Sequence, residues 1–362
     1  MIRVAQISFH HDLRERRPSE LLADWFTLGH LATSAREGGA RVRVYQASRH
    51  VERREHEGND FSFGPLDRCA LQAIVADADV LHVQGLGFAR EVLQLAAVAQ
   101  GRPILLQDRA DRPPSVWRRG LWRAALAQTR GLLFCSREQS RPFMQRGLIG
   151  SDTRIYEVPG VSSDFQRRDR AAARELSGLH GNPALLWVGN LDANKDPLTV
   201  LKAMALTVDR LPDVQLWCCF SGSGLLETVQ GLVANDPRLA GRVHLLGKLP
   251  HDRIECLMNA ADFLVQGSHR EANGVSVVEA LACGLPPLVT DIPAFRSLLG
   301  TRLPWPALWP LGDAPALAEA LVASHQREQE PLRSAARARF EGALSTPALG
   351  HRLVDVYRDL LS

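Results

Sequence analysis

The chain has 362 residues, 45% of them hydrophobic and 23% charged. At about 100–200 residues per domain this length predicts two domains, and it excludes a mini-protein held together by disulfides or metal. Lys and Arg number 43 against 40 Asp and Glu, a net charge of +3, too nearly neutral for a general nucleic-acid coat protein, so no nucleic-acid partner is expected.

No run of about 18 apolar residues occurs, so no membrane span is expected. The start, Met1–Phe9, reads as a buried first strand rather than a signal peptide. Cysteines 69, 135, 218, 219, 256 and 283 show no CxxC spacing, which points to reduced thiols in a soluble, cytoplasmic protein.

In chain order, short apolar runs alternate with amphipathic stretches. Strands are predicted at Ile2–Phe9, Val42–Tyr45, Val80–Val83, Ile104–Leu106 and Leu132–Phe134. Helices are predicted at Glu20–Glu37, Leu66–Ala76, Ala89–Ala99 and Val116–Thr129. The polar stretch 48–62 reads as a solvated loop. A linker is predicted across 159–183, where Pro159-Gly160, a charged run and Gly181-Asn182-Pro183 cluster; Arg167–Leu176 could form a short helix within it.

The pattern then restarts, with strands at Ala184–Val188, Val214–Phe220, Val243–Leu246, Phe263–Val265 and Pro287–Val289. Helices are expected at Pro197–Arg210, Leu225–Ala234, Arg253–Ala260 and Val275–Cys283, and a helical tail at Ala314–Ala323, Leu332–Leu344 and Pro347–Leu361. Such βαβα alternation predicts two α/β domains, each a doubly wound parallel sheet, with ligands at the C-terminal ends of the strands.

The chemistry-bearing stretch is Gln266–Pro286. A strand ends at Gln266, a polar loop follows, and Asn273-Gly274 precedes the helix from Val275, so backbone N–H groups at a helix start are offered to an anion. Glu271 precedes that helix and Glu279 lies inside it. Lys195 is one of only three lysines, with Lys202 and Lys248, and sits in a loop just after a strand.

At these residues the sequence resembles the retaining glycosyltransferases of the GT-B fold, family 4 (glycosyl transferases group 1) type. Their signature of Glu, seven residues, Glu, then Gly-x-Pro reads here as Glu271, Glu279 and Gly284-Leu285-Pro286. Supporting elements follow in order: Trp187–Asp196, Phe220–Gly224, Arg242–Gly247 and Leu311–Ala318. The resemblance implies two Rossmann-like domains facing a central cleft, at 1–165 on the acceptor side and 166–345 on the donor side. Residues 346–362 would form a helix returning to the N-terminal domain.

It also implies roles. Glu271 would contact the transferred sugar and Glu279 the ribose hydroxyls of the donor nucleotide. The backbone amides of Asn273, Gly274 and Val275 would meet sugar hydroxyls and phosphate. Lys195 would supply a cation to the diphosphate, with Gly189, Asn190, Gly222 and Gly224 around the nucleotide. A diphosphate leaving group gathers negative charge as the glycosidic bond breaks, so a fixed cation there favours the transition state. The donor would be a nucleotide-diphosphate sugar, UDP- or GDP-linked, and the acceptor a hydroxyl on a glycan, a lipid-linked or a small molecule. No cofactor and no metal are expected.

The sequence departs from the family pattern in three places. Asn190 stands where the family carries an arginine. The loop His10–Ser19 has no glycine; Arg14, Arg16 or Arg17 either neutralise phosphate there or are solvated. Where the family carries a histidine this chain has Asp108-Arg109, which makes Arg109 the catalytic-side candidate, with His82, Gln84, Gly85 and Arg112 as further acceptor-side residues. These departures motivate an alternative, a degenerate nucleotide-sugar binder or assembly protein; a nucleotide-sugar epimerase of the same fold is another. The basic, aromatic stretch Trp117–Arg123 either touches a membrane surface peripherally or is a solvated helix face with Trp117 or Trp122 in the core.

Overall fold

The computed structural model describes residues 1–25, 28–150 and 152–362. It divides into two units, residues 1–162 with 345–362, and residues 163–344.

The first unit is built on an eight-stranded sheet. Its strands are β1 (Arg3–Ser8), β2 (Arg41–Ala47), β3 (Glu52–His56), β4 (Asn59–Gly64), β5 (Val80–Gln84), β6 (Ile104–Gln107), β7 (Gly131–Phe134) and β8 (Arg154–Glu157), in the order β3-β4-β2-β1-β5-β6-β7-β8. All neighbours are parallel except the β3–β4 pair. Its helices are α1 (Pro18–Asp24), α2 (His30–Glu37), α3 (Arg68–Ala76), α4 (Ala89–Ala96), α5 (Arg119–Leu126) and α6 (Arg141–Met144).

The near-continuous apolar strands are explained by burial on both faces. Val4, Val80, Leu105 and Leu133 pack into one core with Leu31 and Ala35 of α2. Their sequence neighbours Ala5, Leu81, Leu106 and Leu132 pack into another with Leu71, Val92 and Trp122, from α3, α4 and α5. The alternation is the two-residue period of a strand.

The second unit opens with α7 (Arg170–Ser177), followed by β9 (Ala184–Gly189), α8 (Pro197–Thr207), β10 (Gln215–Phe220), α9 (Leu226–Asn235), β11 (Val243–Gly247) and α10 (His251–Ala260). Then come β12 (Phe263–Gln266), α11 (Val275–Ala282), β13 (Pro287–Thr290), α12 (Pro293–Leu299), β14 (Leu308–Trp309), α13 (Ala314–His325) and α14 (Gln329–Ala343). The sheet is parallel with order β11-β10-β9-β12-β13-β14. The strand order reverses between β9 and β12, which is the switch point where open parallel sheets take their ligands.

The last helix, α15 (Thr346–Leu361), belongs to the first unit. Leu349, Leu353, Tyr357 and Leu360 complete the core on the α2 side of its sheet. The approach to α2 is close because both helices put a glycine at the crossing. A Cβ on Gly350 would run into the Ser34 carbonyl oxygen, and one on Gly38 into the Gly350 carbonyl. Tyr357 reaches the sheet, its hydroxyl 2.9 Å from Nδ1 of the fully buried His82.

Several expectations are corrected. Residues 48–62 are not a solvated loop, since 52–56 and 59–64 pair as a hairpin. Glu57 and Gly58, both at positive φ, form its two-residue turn. β3 is a charged edge strand, which protects the sheet edge from further pairing, while Phe61 and Phe63 of β4 enter the core. The single helix Glu20–Glu37 is two helices: the first ends at Trp25, the second starts after Gly29, and Phe26 and Thr27 lie outside the described residues. The linker holds α7, bound to its own unit by ion pairs from Arg170 and Arg174 to the buried Asp262. Strands β8 and β14 and helix α12 carried too little pattern to be predicted.

Two outcomes follow. Gly350→Ala, which forces α15 away from α2, should destabilise the protein by about 1–3 kcal/mol in urea unfolding. Burial holds the His82 imidazole down at about 3, far below its ordinary 6.5. The unfolded chain therefore takes up a proton below pH 6.5 that the folded one refuses. Its stabilisation is complete above 6.5 and declines by about 1.4 kcal/mol per pH unit below it. Stability measured against pH should lose that component of its acid slope in His82→Gln.

Candidate functional site

In the second unit, the loops after β9, β10 and β12 and the start of α10 after β11 all leave the C-terminal ends of four contiguous parallel strands. The loops after β9 and β12 flank the switch point and are tied together. Gln266 donates from Nε2 to the Val188 carbonyl at 2.7 Å and to Ser276 Oγ at 2.6 Å. The His269 amide donates to the Asn194 carbonyl at 2.7 Å, and Asn194 Nδ2 to the Arg270 carbonyl at 3.1 Å. Gly267 is obligatory here, because a Cβ would sit 2.7 Å from the Asp196 carbonyl oxygen.

These ties bring two of the residues singled out in the sequence into contact. Lys195 Nζ and Glu271 Oε1 form a partly buried ion pair. Asp192 accepts from the Lys195 amide at 2.9 Å and so fixes the backbone that presents the lysine. Gly189 lies beneath the lysine stem, where a Cβ would touch it at 3.4 Å.

Asn190 holds the next loop. Its Oδ1 accepts from Ser221 Oγ at 2.8 Å and from the Gly222 amide at 3.1 Å. A side chain on Gly222 would meet Asn190 at 3.1 Å, and one on Gly224 would lie 3.5 Å from the Leu191 carbonyl. Gly274 caps α11 at φ 53°, and a Cβ there would strike Phe295 at 2.8 Å. Only glycine suits that position, and it brings Asn273 and Val275 to the helix start.

Ser276 to Ala282 of α11 are all buried, and beyond Ser276 in the first turn Glu279 is the one polar side chain of the helix. Glu279 is 4% exposed, with Oε1 2.7 Å from His251 Nε2. Burial pushes its carboxyl above the usual range, and the hydrogen bond and charge of His251 pull the other way. The Phe165 ring packs against His251 at 4.4 Å between centroids. His251 is the site residue that sequence reasoning missed. It lies in the stretch before the predicted helix Arg253–Ala260, and nothing in its spacing connects it with Glu279.

Arg109 lies in the first unit, after β6. Its loop is fixed by two carboxylates: Asp111 accepts from the amides of Leu86 and Arg109 at 2.8 and 3.2 Å, and Asp108 from the amide of Asp111 at 3.0 Å. His82 is not an accessible acceptor-side residue, being buried against Tyr357. Arg16 is not available to phosphate either. It pairs with Asp12 at 2.9 Å and Asp24 at 2.5 Å and lies over the Trp25 ring. Among the described residues no group of three or more His, Cys, Asp or Glu is placed to hold a metal ion. No Asp-x-Asp triplet was expected, yet Asp77-Ala78-Asp79 is one; it lies just before β5, where Arg3 pairs with both carboxylates.

Residues 169–303, all within the second unit, match the family model Glycosyl transferases group 1. Over 233 residues the chain is 26% identical to the GDP-mannose:cellobiosyl-diphosphopolyprenol alpha-mannosyltransferase of Xanthomonas campestris, covering 62% of this chain and 59% of that one. Over 147 residues it is 37% identical to the D-inositol 3-phosphate glycosyltransferase of Mycobacterium tuberculosis, covering 38% of this chain and 30% of that one. The chain thus spans between about a third and three fifths of these relatives. Among solved structures, sucrose-phosphate synthase from Thermosynechococcus elongatus matches with TM-score 0.70 at 19% identity, over 99% of both chains. Anabaena HepE in complex with UDP matches with TM-score 0.74 at 15% identity, over 99% of this chain and 100% of that one. The fold is α/β, of the GT-B class.

The buried carboxylate yields a prediction. The folded-state pKa of Glu279 lies above its ordinary value, so its contribution to stability is complete at low pH and is lost as pH rises through the raised value. Glu279→Gln removes the ionisation and keeps the shape. The Tm difference between variant and parent should therefore move in the variant's favour from pH 4 to pH 8 in thermal unfolding.

Proposed function

We infer that this chain, with a Glycosyl transferases group 1 domain in a GT-B fold, moves a sugar from a nucleotide-diphosphate sugar to an acceptor hydroxyl with retention of configuration. The observation that carries this reading is the set of groups at the switch point of the second sheet. A cation and a carboxylate, Lys195 and Glu271, flank the point where strand order reverses, and a buried carboxylate, Glu279, lies in the helix that follows.

In this reading the donor's ribose hydroxyls donate to Glu279, which His251 holds in place. The diphosphate lies at the start of α11, against the amides of Gly274 and Val275, with Lys195 offsetting the charge that grows as the bond to the anomeric carbon breaks. Glu271 accepts from hydroxyls of the transferred sugar and keeps Lys195 aimed. The acceptor oxygen attacks from the face the diphosphate leaves, and the departing phosphate oxygen takes the acceptor proton. No protein nucleophile, metal or cofactor is needed. Arg109, on its fixed loop, is the acceptor-side cation. The donor is a UDP- or GDP-sugar, and the site of action is cytoplasmic.

The test is thermal unfolding with UDP, GDP, ADP and CMP. One nucleotide at about 100 times its dissociation constant should add roughly 2.7 kcal/mol to the native protein and much less to Glu279→Ala. Lys195→Ala should lower kcat about 100-fold on the matching donor, and NMR of the product should show the donor's anomeric configuration. Absence of any nucleotide response would overturn the donor site. A response without transfer to any acceptor would support the degenerate-binder reading that Asn190 motivates, and isomerised donor would support an epimerase.

A further inference from the structure

The net charge of +3 hides a strong local asymmetry. Between residues 112 and 150 there are eight arginines, no lysine and a single acid, Glu138. The segment includes α5 and α6, which pack together through Trp122 stacked on Phe143. Trp122, Ala125 and Leu126 turn into the core, which leaves Arg123 as the charge on the exposed face of α5, with Arg119 half-exposed at its start and Arg118 exposed just before it. Arg123 reaches across to the Gly147 carbonyl at 3.0 Å, and Arg146 bonds the Pro142 carbonyl beside it at 3.0 Å, so arginines from both helical segments share one surface. Arg118, Arg119, Arg123 and Arg146 enter no ion pair among the described residues.

Beside these charges, on the turn leading into α5, stand Trp117 at 96% and Val116 at 65% exposure. Of the two tryptophans in the stretch, Trp122 is the core residue and Trp117 is not. An exposed indole gains nothing in water. It is favoured where an apolar body and a polar ring edge both find partners, as at the boundary between lipid headgroups and acyl chains. Unpaired arginines around it supply attraction to an anionic surface.

We propose that this part of the first unit, the exposed Val116 and Trp117 followed by Arg118 and Arg119 and continued by the arginines Arg123 and Arg146, docks on an anionic lipid bilayer. Trp117 enters the headgroup region and the arginines lie against lipid phosphates. No helix among the described residues is long and apolar enough to cross a membrane, so the attachment is peripheral. It depends on salt, because exposed charges are screened over about 8 Å at physiological ionic strength.

The experiment is co-sedimentation of the full chain with vesicles of phosphatidylcholine alone or mixed with phosphatidylglycerol, alongside tryptophan emission. Binding is expected only to the mixed vesicles, with a blue shift, and is expected to fall as salt rises. Trp117→Ala should abolish the blue shift while leaving residual salt-sensitive binding. Arg118→Glu with Arg119→Glu should weaken binding at least tenfold. Both variants should keep the parent's Tm, which separates loss of docking from loss of fold. Equal binding to both vesicle types, no binding to either, or unchanged binding by the charge-reversed variant would each overturn the proposal. Binding to RNA in preference to mixed vesicles would overturn it in favour of a nucleic-acid surface. None of these outcomes depends on the donor site, which is tested by nucleotide alone.

Discussion

A carboxylate in the middle of a buried helix, among apolar side chains, is the constraint around which the second unit is arranged. Burying Glu279 costs free energy unless a partner compensates, and His251, from the neighbouring strand's connection, supplies a hydrogen bond to one oxygen only. Natural cores keep such groups where activity requires them and offset them elsewhere. The offset here is the surrounding order. Gly274 lets α11 start against Phe295, Gln266 ties that start to the end of β9, and Gly267 lets the β12 loop run against Asp196. The same ties bring Lys195 to Glu271. The ion pair is therefore a consequence of the loop packing, and each partner limits the motion of the other.

What was legible in the sequence follows from which signals are local. Parallel strands buried on both faces show as short apolar runs, and β1, β5, β6, β9 and β12 were found to within a residue or two. The hairpin 52–64 was not. β3 is charged because it is an edge, and the alternation of Phe61 and Phe63 is short. Glu57-Gly58 is also a less familiar turn pair than Asn-Gly. Of the site, Glu271, Glu279, Lys195 and the glycines could be named because a motif orders them along the chain. His251 could not, since its partner is 28 residues away and only the fold brings them together. The identity of the buried tryptophan was likewise undetermined, because Trp117 and Trp122 are both amphipathic and only the packing of Phe143 distinguishes them.

The first unit applies a different constraint. Its sheet is covered on one face by a helix from the far end of the chain, so the unit is complete only once residues 345–362 are in place. Two glycines allow the close crossing of α15 on α2, and Tyr357 of α15 meets the fully buried His82 of β5. In sequence such a histidine reads either as a cleft residue or as a local hydrogen-bonding one; its Nδ1 beside the Tyr357 hydroxyl of the last helix fits the second reading.

Asn190 shows how a departure from a family pattern can be read physically. An arginine at that position would bring a charge to a diphosphate, and charge-assisted bonds are about twice as strong as neutral ones. An arginine has no acceptor, however, and the asparagine is used as one. Its Oδ1 draws in both Ser221 and the Gly222 amide, fixing the β10 loop against the β9 loop before any ligand arrives. A site assembled in advance loses less entropy on binding. Under the donor reading, the missing charge is therefore offset in part by order, and the burden of charge falls on Lys195. That lysine is already held by Glu271 and by the Asp192 turn, so in that reading it would meet the diphosphate without first having to be positioned.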